Sequence, residues 1–268
     1  MTAADTAYAQ WQRTRLARVS GPAGNLALVD YHPVGVEFSA PDLVSLMVRR
    51  IGDEEGVRIT PMEGAAMTLD GAPVEGETFM GRLQADGTPL LRWEGLTVDA
   101  FSLDGSDYEL RIYDAAAENL ANFAGIDCYA YDDDLRVTGV LRRHADIEHV
   151  PWGFTRTSDT GHTKRVPGLL EVEVLGERRE LVAFLDSGFL VLVFADGTTG
   201  EESYAPGRFL RMDPPAEDGD VDVDFNYAFV PPCGFSDFYS CPIPPVQNRF
   251  AVPIRGGERR VRWHRPRY

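Results

Sequence analysis

Leu169–Phe194 reads LLEVEVLGERRELVAFLDSGFLVLVF. Leu169–Val174 alternates apolar and polar side chains with the two-residue period of a half-buried strand. Glu180–Phe184 and Phe189–Phe194 then follow as apolar runs of Val, Leu and Phe, the composition of a buried strand pair. The same alternation marks Leu96–Phe101 and Tyr108–Tyr113. Asp70-Gly71, Asp86-Gly87, Asp104-Gly105 and Asp196-Gly197 punctuate the chain, and an Asp-Gly pair readily adopts the positive φ angles of a tight hairpin. Long helices do not alternate with these strands, so the pattern predicts antiparallel sheets closed as a sandwich or barrel.

Helical signals are few. From about Asp5 to Val19, Tyr8, Trp11, Leu16 and Val19 approximate one face, and Gly21-Pro22 ends the segment. Asp114 is placed to cap a short helix in AAAENLANF. Leu43–Ile51 fits helical and strand templates alike. The predicted fold is therefore mainly β: an N-terminal helix (1–20), a small β-sandwich (21–114) and a larger antiparallel β-barrel-like unit (115–268), with a boundary between Asp114 and Asp134.

The 268 residues carry a formal net charge of −16, and Lys164 is the sole lysine. Such a surface repels polyanions, which weighs against nucleic acid as a partner. The basic stretch Arg255–Tyr268 is the exception, holding six arginines against Glu258. It is expected to lie back on acidic residues of the same chain, such as Asp132-Asp133-Asp134, or on a symmetry mate. No run of apolar residues is long enough to span a membrane, and the first residues lack the apolar core of a secretory signal, so a cytoplasmic location is expected.

Common catalytic motifs do not appear. The chain has no Walker-type glycine loop, dinucleotide fingerprint or nucleophile elbow. His32, His144, His149, His162 and His264 form no metal-binding pair of known spacing, although His144 and His149 lie five apart with Asp146 and Glu148 between them. Asp132-Asp133-Asp134 lacks the ligand spacing of a calcium loop. The residues name no cofactor and no metal. Cys128 sits in an apolar context and reads as a small core residue, whereas Cys233 and Cys241, eight apart in a proline-rich stretch, are expected to be reduced thiols close enough to cross-link.

One segment is not bland. Residues 222–250, DVDFNYAFVPPCGFSDFYSCPIPPVQNRF, combine seven aromatics with five prolines around Asp224, Asn226, Asn248 and Arg249. Proline removes backbone freedom and aromatics bring apolar area at little rotamer entropy, so this stretch is ordered without being regular. It is either a lid closing the open end of a barrel or a lid that also builds a site. Just upstream, Tyr204, Gly207 and Arg208 follow a turn. Arg208 needs a carboxylate if buried; Asp186 and Asp224 qualify by position, and pairing with Asp224 beneath 222–250, directly or through Tyr204 or Asn226, is expected.

GTTGEESYAPGRFL (Gly197–Leu210), followed by DFNYAFVPPC, CPIPP and NR, resembles family 1684 of the domains of unknown function, a group of uncharacterised bacterial and archaeal proteins. The similarity extends more weakly through RIYD (Arg111–Asp114) and FAGIDCYAY to the N-terminal helix. It implies that Tyr204, Gly207, Arg208, Asp224, Asn226, Tyr227, Cys233, Cys241 and Asn248 are characteristic positions, and it carries no activity. RRIGDEEGVRITP (Arg49–Pro61) is also similar to a forkhead-associated β-sandwich, which implies a strand for Leu43–Ile51. Here Gly52-Asp53 stands where that module has Gly-Arg, and a carboxylate repels phosphate, so phosphopeptide reading is not implied.

Two functions are compatible with these readings. One is a binding module for a small molecule or protein, with a pocket under 222–250 formed by Tyr204, Arg208, Asp224, Asn226, Tyr227, Cys233, Cys241 and Asn248. The other is an enzyme using Arg208, Asp224, Asn226, Tyr227 and Cys233, with Asp224 as base or ligand and Arg208 as anion clamp.

Overall fold

The structure, a computed structural model, describes residues 2–35, 46–82, 90–102, 108–156 and 163–266. Asp86-Gly87, Asp104-Gly105 and His162 lie outside the described residues, as do positions 43–45. The protein is mainly β, with 49% of residues in strands and 16% helical, a threefold excess that matches the turn-rich sequence. No helix among the described residues is long and apolar enough to cross a membrane. Two compact units are present, one of residues 18–121 and one of residues 1–17 with 122–268.

The chain opens with α1 (Ala3–Val19). Thr2 caps it reciprocally: its Oγ1 accepts from the Asp5 amide at 3.1 Å while its own N–H donates to Asp5 Oδ2 at 2.7 Å, the two-way arrangement that satisfies otherwise orphaned amides. Tyr8 and Val19 are buried as their spacing predicts, but Leu16 is 39% exposed. Arg15 takes the inward position instead, with its guanidinium on Glu258 and on the rings of Phe229 and Phe235.

The described residues of 18–121 form nine strands: β1 (Leu28–Val34), β2 (Leu46–Arg49), β3 (Gly56–Pro61), β4 (Met67–Leu69), β5 (Ala72–Pro73), β6 (Thr78–Gly81), β7 (Leu91–Trp93), β8 (Leu96–Phe101) and β9 (Tyr108–Asp114). They make an antiparallel sheet of order β1-β9-β8-β7-β4-β5 and a smaller one of order β2-β3-β6, sharing a core of Leu46, Val48, Ile59, Met80, Leu91, Val98, Leu110 and Ile112. β2 is the strand that the forkhead-associated similarity favoured. Asp70-Gly71 is a hairpin turn as expected, with φ of 48° and 84°, joining β4 to β5. The short α2 (Glu118–Asn122) begins later than expected, because the Asp114 carboxylate accepts from the Ala116 amide in a turn before it.

The second unit adds β10 (Phe123–Cys128), β11 (Arg136–Pro151), β12 (Thr163–Val174), β13 (Glu177–Asp186), β14 (Phe189–Phe194), β15 (Arg208–Met212), β16 (Gly219–Asp224) and β17 (Glu258–Trp263). Six of these form a curled half-barrel of order β15-β14-β13-β12-β11-β16, with Leu141, Leu170, Leu181, Leu192, Phe194, Leu210, Val223 and Phe225 in its core. β13 and β14 are the buried strand pair of the opening stretch. His144 and His149 both fall within β11.

The basic stretch is not a loose tail. β17 pairs antiparallel with β10. Arg255 bonds Glu202 at 2.7 Å, and Arg262 and Arg260 approach Asp127 at 3.0 and 3.5 Å. Its acidic partners are thus Glu202 and Asp127. Asp132-Asp133-Asp134 instead begins a 3-10 turn, in which Asp132 caps the Asp134 amide.

Burial isolates one carboxylate in residues 18–121. Asp99 on β8 accepts from the Tyr113 hydroxyl at 2.9 Å. Its Oδ1 has no partner among the described residues. Burial, only partly opposed by Arg111 and the Tyr113 bond, raises its pKa from 3.8 to about 6. The native state therefore holds a proton that the unfolded chain releases, so stability falls as pH rises from about 4 through 6. Asp99→Asn is expected to flatten that segment of a urea-denaturation profile and to stabilise the neutral-pH protein by on the order of 1–3 kcal/mol; an unchanged slope would contradict the assignment.

Candidate functional site

Arg208 opens β15 and is wholly buried. Its carboxylate partner is Asp196, with Nη2 donating to Oδ2 at 2.6 Å, and not Asp224 as expected. Nη2 also donates to the carbonyl of Ile254 at 2.7 Å, and Nη1 donates to the carbonyls of Gly256 and Glu258. Four of the five guanidinium N–H groups are thus satisfied, and Nε alone has no partner among the described residues. Asp196 is equally saturated. Its Oδ1 accepts from the amide and hydroxyl of Thr198 and the hydroxyl of Thr199, and its Oδ2 also accepts from the Ile254 amide. Burial lowers the Arg208 pKa and the Asp196 charge opposes that shift. A group closed in this way cannot grip a ligand.

The sequence reading missed Asp196 because it took Asp196-Gly197 for a hairpin. The Gly197 amide instead bonds the carbonyl of Val252 at 3.0 Å, and the carboxylate turns inward. Asp186, the other positional candidate, accepts from the Ser187 hydroxyl at the β13–β14 turn. Gly207 does need its glycine: φ is +95°, and a Cβ would lie 2.6 Å from Pro244 Cγ.

Asn226 and Asn248 are buried clamps. Asn248 inserts between β13 and β14, accepting from the Val182 amide at 2.9 Å and donating to the carbonyls of Val182 and Val193 at 2.8 Å. Asn226 does the same for residue 132, accepting from its amide at 2.9 Å and donating to its carbonyl at 2.8 Å, with Nδ2 also donating to Asp224 Oδ1. A buried amide that meets several backbone groups at once fixes the path of two segments.

Beside the Asn226 clamp is a cleft of about 570 Å³, lined by Ala3, Ala4 and Ala7 of α1, Tyr131, Arg136, Phe189, Arg211–Asp213, Asp222, Asp224 and Tyr227. It contains both edge strands of the half-barrel, β15 and β16, which are not hydrogen-bonded to each other. Arg136 and Asp222 neutralise each other through two bonds at 3.0 and 2.7 Å. Asp224 is different. Among the described residues its carboxylate accepts two bonds, from the amide and Nδ2 of Asn226, and both fall on Oδ1. Burial raises its pKa against those bonds. Tyr131 and Tyr227 also titrate above their ordinary value, through burial and then the Asp224 charge, so both phenols are protonated donors at neutral pH. Tyr227 is held by edge-on contacts with Tyr8 and Trp11 at 6.0 and 5.3 Å between centroids.

Of the sequence-predicted site residues, Asp224 and Tyr227 line this cleft, and Asn226 bonds Asp224. Tyr204, Cys233 and Cys241 form a separate cluster: the Tyr204 hydroxyl donates to Cys233 Sγ at 3.5 Å, and the Cys233 amide to Cys241 Sγ at 3.3 Å. Neither thiol is in a disulfide in this structure. Arg208 and Asn248 belong to neither group. Tyr131, Arg136, Phe189 and Arg211 were missed. Tyr131 lies beside the acidic run Asp132-Asp133-Asp134, which lacks a calcium loop's spacing, and the others are strand residues whose facing neighbours only the closed fold defines.

The motif-bearing half of the chain matches a family model, Protein of unknown function (DUF1684), over residues 121–259. The chain belongs to the DUF1684 family. The matched residues contain the half-barrel, both asparagine clamps, the Arg208–Asp196 pair and the thiols, whereas the α1 wall of the cleft lies outside them. The solution NMR structure of an uncharacterized protein from gene locus rrnAC0354 of Haloarcula marismortui is 34% identical, over 51% of this chain and 77% of that one, with a TM-score of 0.42. No curated protein matches this DUF1684 chain.

Removing the buried cation should leave Asp196 orphaned. Arg208→Ala is expected to cost about 3–5 kcal/mol in urea denaturation, because the penalty of an unpaired buried carboxylate exceeds the worth of the contact itself. Asp196→Ala should cost a similar amount, and the double variant clearly less than the sum. Additive costs would show that the two groups do not act as one pair.

Proposed function

We propose that the protein is a cytoplasmic binding module for a small molecule, seated in the cleft between β15 and β16. Asp224 carries the reading. It is a half-buried carboxylate whose bonds among the described residues are confined to one oxygen, and it shares a cavity of ligand size with the two protonated tyrosines. Ligand sites characteristically combine apolar and aromatic walls with a few fixed polar groups. A carboxylate flanked by phenol rings suits a positively charged nitrogen, which gains a charge-assisted bond and the negative faces of the rings. We therefore infer an amine or quaternary ammonium ligand with a compact apolar body, the body lying along Phe189 and the small side chains of α1.

An enzymatic reading through Arg208 loses its support, because the guanidinium is wholly buried and its four terminal N–H groups are filled from within. Nucleic acid is disfavoured by the same charge balance noted in the sequence.

A thermal-shift series with phenethylamine and benzyltrimethylammonium should raise the melting temperature, while phenylacetate should not. Asp224→Asn should weaken binding about tenfold or more, the worth of one bond to a charged group. Because the Asp224 pKa is raised, cation binding should begin to fail on acidification at a higher pH than an ordinary aspartate would dictate. Equal stabilisation by the carboxylate probe, or affinity unchanged in Asp224→Asn, would contradict the ligand class.

A further inference from the structure

Cys233 and Cys241 lie outside the cleft and have no part in the binding described above. Cys233 sits in the 3-10 turn Pro232–Gly234, partly exposed, while Cys241 is buried. Three features hold the two together. The Cys233 amide donates to Cys241 Sγ at 3.3 Å. Cys241 is fixed from its other side by a reciprocal pair of bonds with Thr155, its amide donating to Oγ1 at 3.0 Å and its carbonyl accepting from the Thr155 amide at 2.8 Å. The Tyr204 hydroxyl donates to Cys233 Sγ at 3.5 Å. Between the two cysteines Gly234 packs tightly on Val230, where a Cβ would stand 2.3 Å from Cγ1. A hydroxyl donor on a partly exposed sulfur, with a second thiol fixed beside it, supplies the elements of a reactive cysteine and its resolving partner.

We propose that Cys233 is a peroxide-reactive thiol and that Cys241 resolves it. The Cys233 thiolate attacks one oxygen of a hydroperoxide. An S–O bond forms as the O–O bond breaks, and the departing alkoxide or hydroxide takes a proton to leave as alcohol or water. Cys241 then attacks the sulfenic sulfur. The S–S bond forms, the S–O bond breaks, and the hydroxyl leaves with the Cys241 proton as water. Two thiols are oxidised by two electrons and one peroxide bond is reduced; an external dithiol returns the pair to its starting state by exchange. A hydroperoxide suits the site because it is small enough for a sulfur that is only partly exposed.

The acid–base chemistry agrees with this geometry. The Cys241 side chain, followed by the Tyr204 hydroxyl, the Cys233 amide and the Thr155 hydroxyl, holds the Cys233 thiol below its ordinary value in spite of burial. Cys128 is the opposite case: burial raises its thiol to about 11, which leaves it protonated and inert at neutral pH. The one chain thus contains its own unreactive control.

The reduced full-length protein is treated with hydrogen peroxide at neutral pH and mapped by peptide mass spectrometry without reductant. The expected product is the loss of two hydrogens within one chain, located to Cys233–Cys241, with Cys128 unchanged. Cys241→Ser should instead accumulate a Cys233 sulfenic acid that dimedone traps, and Tyr204→Phe should slow the reaction about fivefold, the effect of one weak hydrogen bond. Iodoacetamide labelling of the unaltered protein across a pH series provides a test that needs no variant. Cys233 should label before Cys128, and its rate should stay high below the pH at which free cysteine slows. Oxidation of Cys128 first, a bridge between two chains, or Cys233 reacting no faster than free cysteine would each overturn the proposal.

Discussion

A fully buried arginine is the constraint on which the DUF1684 region turns. The Arg208 guanidinium cannot be deprotonated at any ordinary pH, and an unmatched charge in an apolar interior costs several kcal/mol. The chain answers by bringing Asp196 and three carbonyls from Ile254, Gly256 and Glu258 to its four terminal N–H groups. That demand draws the residues after the proline-rich segment back against β15. The arginine-rich end of the chain then continues as β17, an ordered strand, and its single acidic residue, Glu258, is buried on Arg15 and the Val230 amide.

The half-barrel is left open between β15 and β16, and the aromatic, proline-rich segment covers the sheet without extending it. Backbone groups along such a path cannot all be met by a strand ladder, so side chains meet them. Asn248 joins Val182 to Val193, and Asn226 joins residue 132 to Asp224. The second clamp fixes the cleft as well. By holding the backbone next to Tyr131 and the carboxylate of Asp224 together, it sets two walls of the site with one buried amide. Structure and site therefore share parts, although Arg208 itself serves only the structure.

The fold was legible because strand periodicity is local. The pair Glu180–Phe184 and Phe189–Phe194, the alternation of Tyr108–Tyr113 and the Asp70-Gly71 turn all specify their conformation within a few residues. Segment 222–250 was legible as special from composition alone. Its partners were not. Arg208 lies twelve residues from Asp196, and nothing in an Asp-Gly dipeptide separates a hairpin from a carboxylate folded inward by a glycine that bonds elsewhere. Leu16 fitted the apolar face of α1 and is exposed, because Arg15 beside it gains a buried carboxylate and two aromatic rings. The cleft was hidden for a related reason. Arg136, Phe189 and Arg211 belong to three different strands and meet only when the sheet curls.

Amide hydrogen exchange resolves whether residues 222–258 are a fixed part of the core or a cover that opens. The amides of Val230 and Ile254, which donate to the buried carboxylates of Glu258 and Asp196, and of Asp132, which donates to Asn226, should exchange as slowly as those of β13 and β14, through global unfolding alone. Exchange of these three on a loop timescale, orders of magnitude faster than the sheet, would show that the Arg208–Asp196 pair does not hold the segment in place.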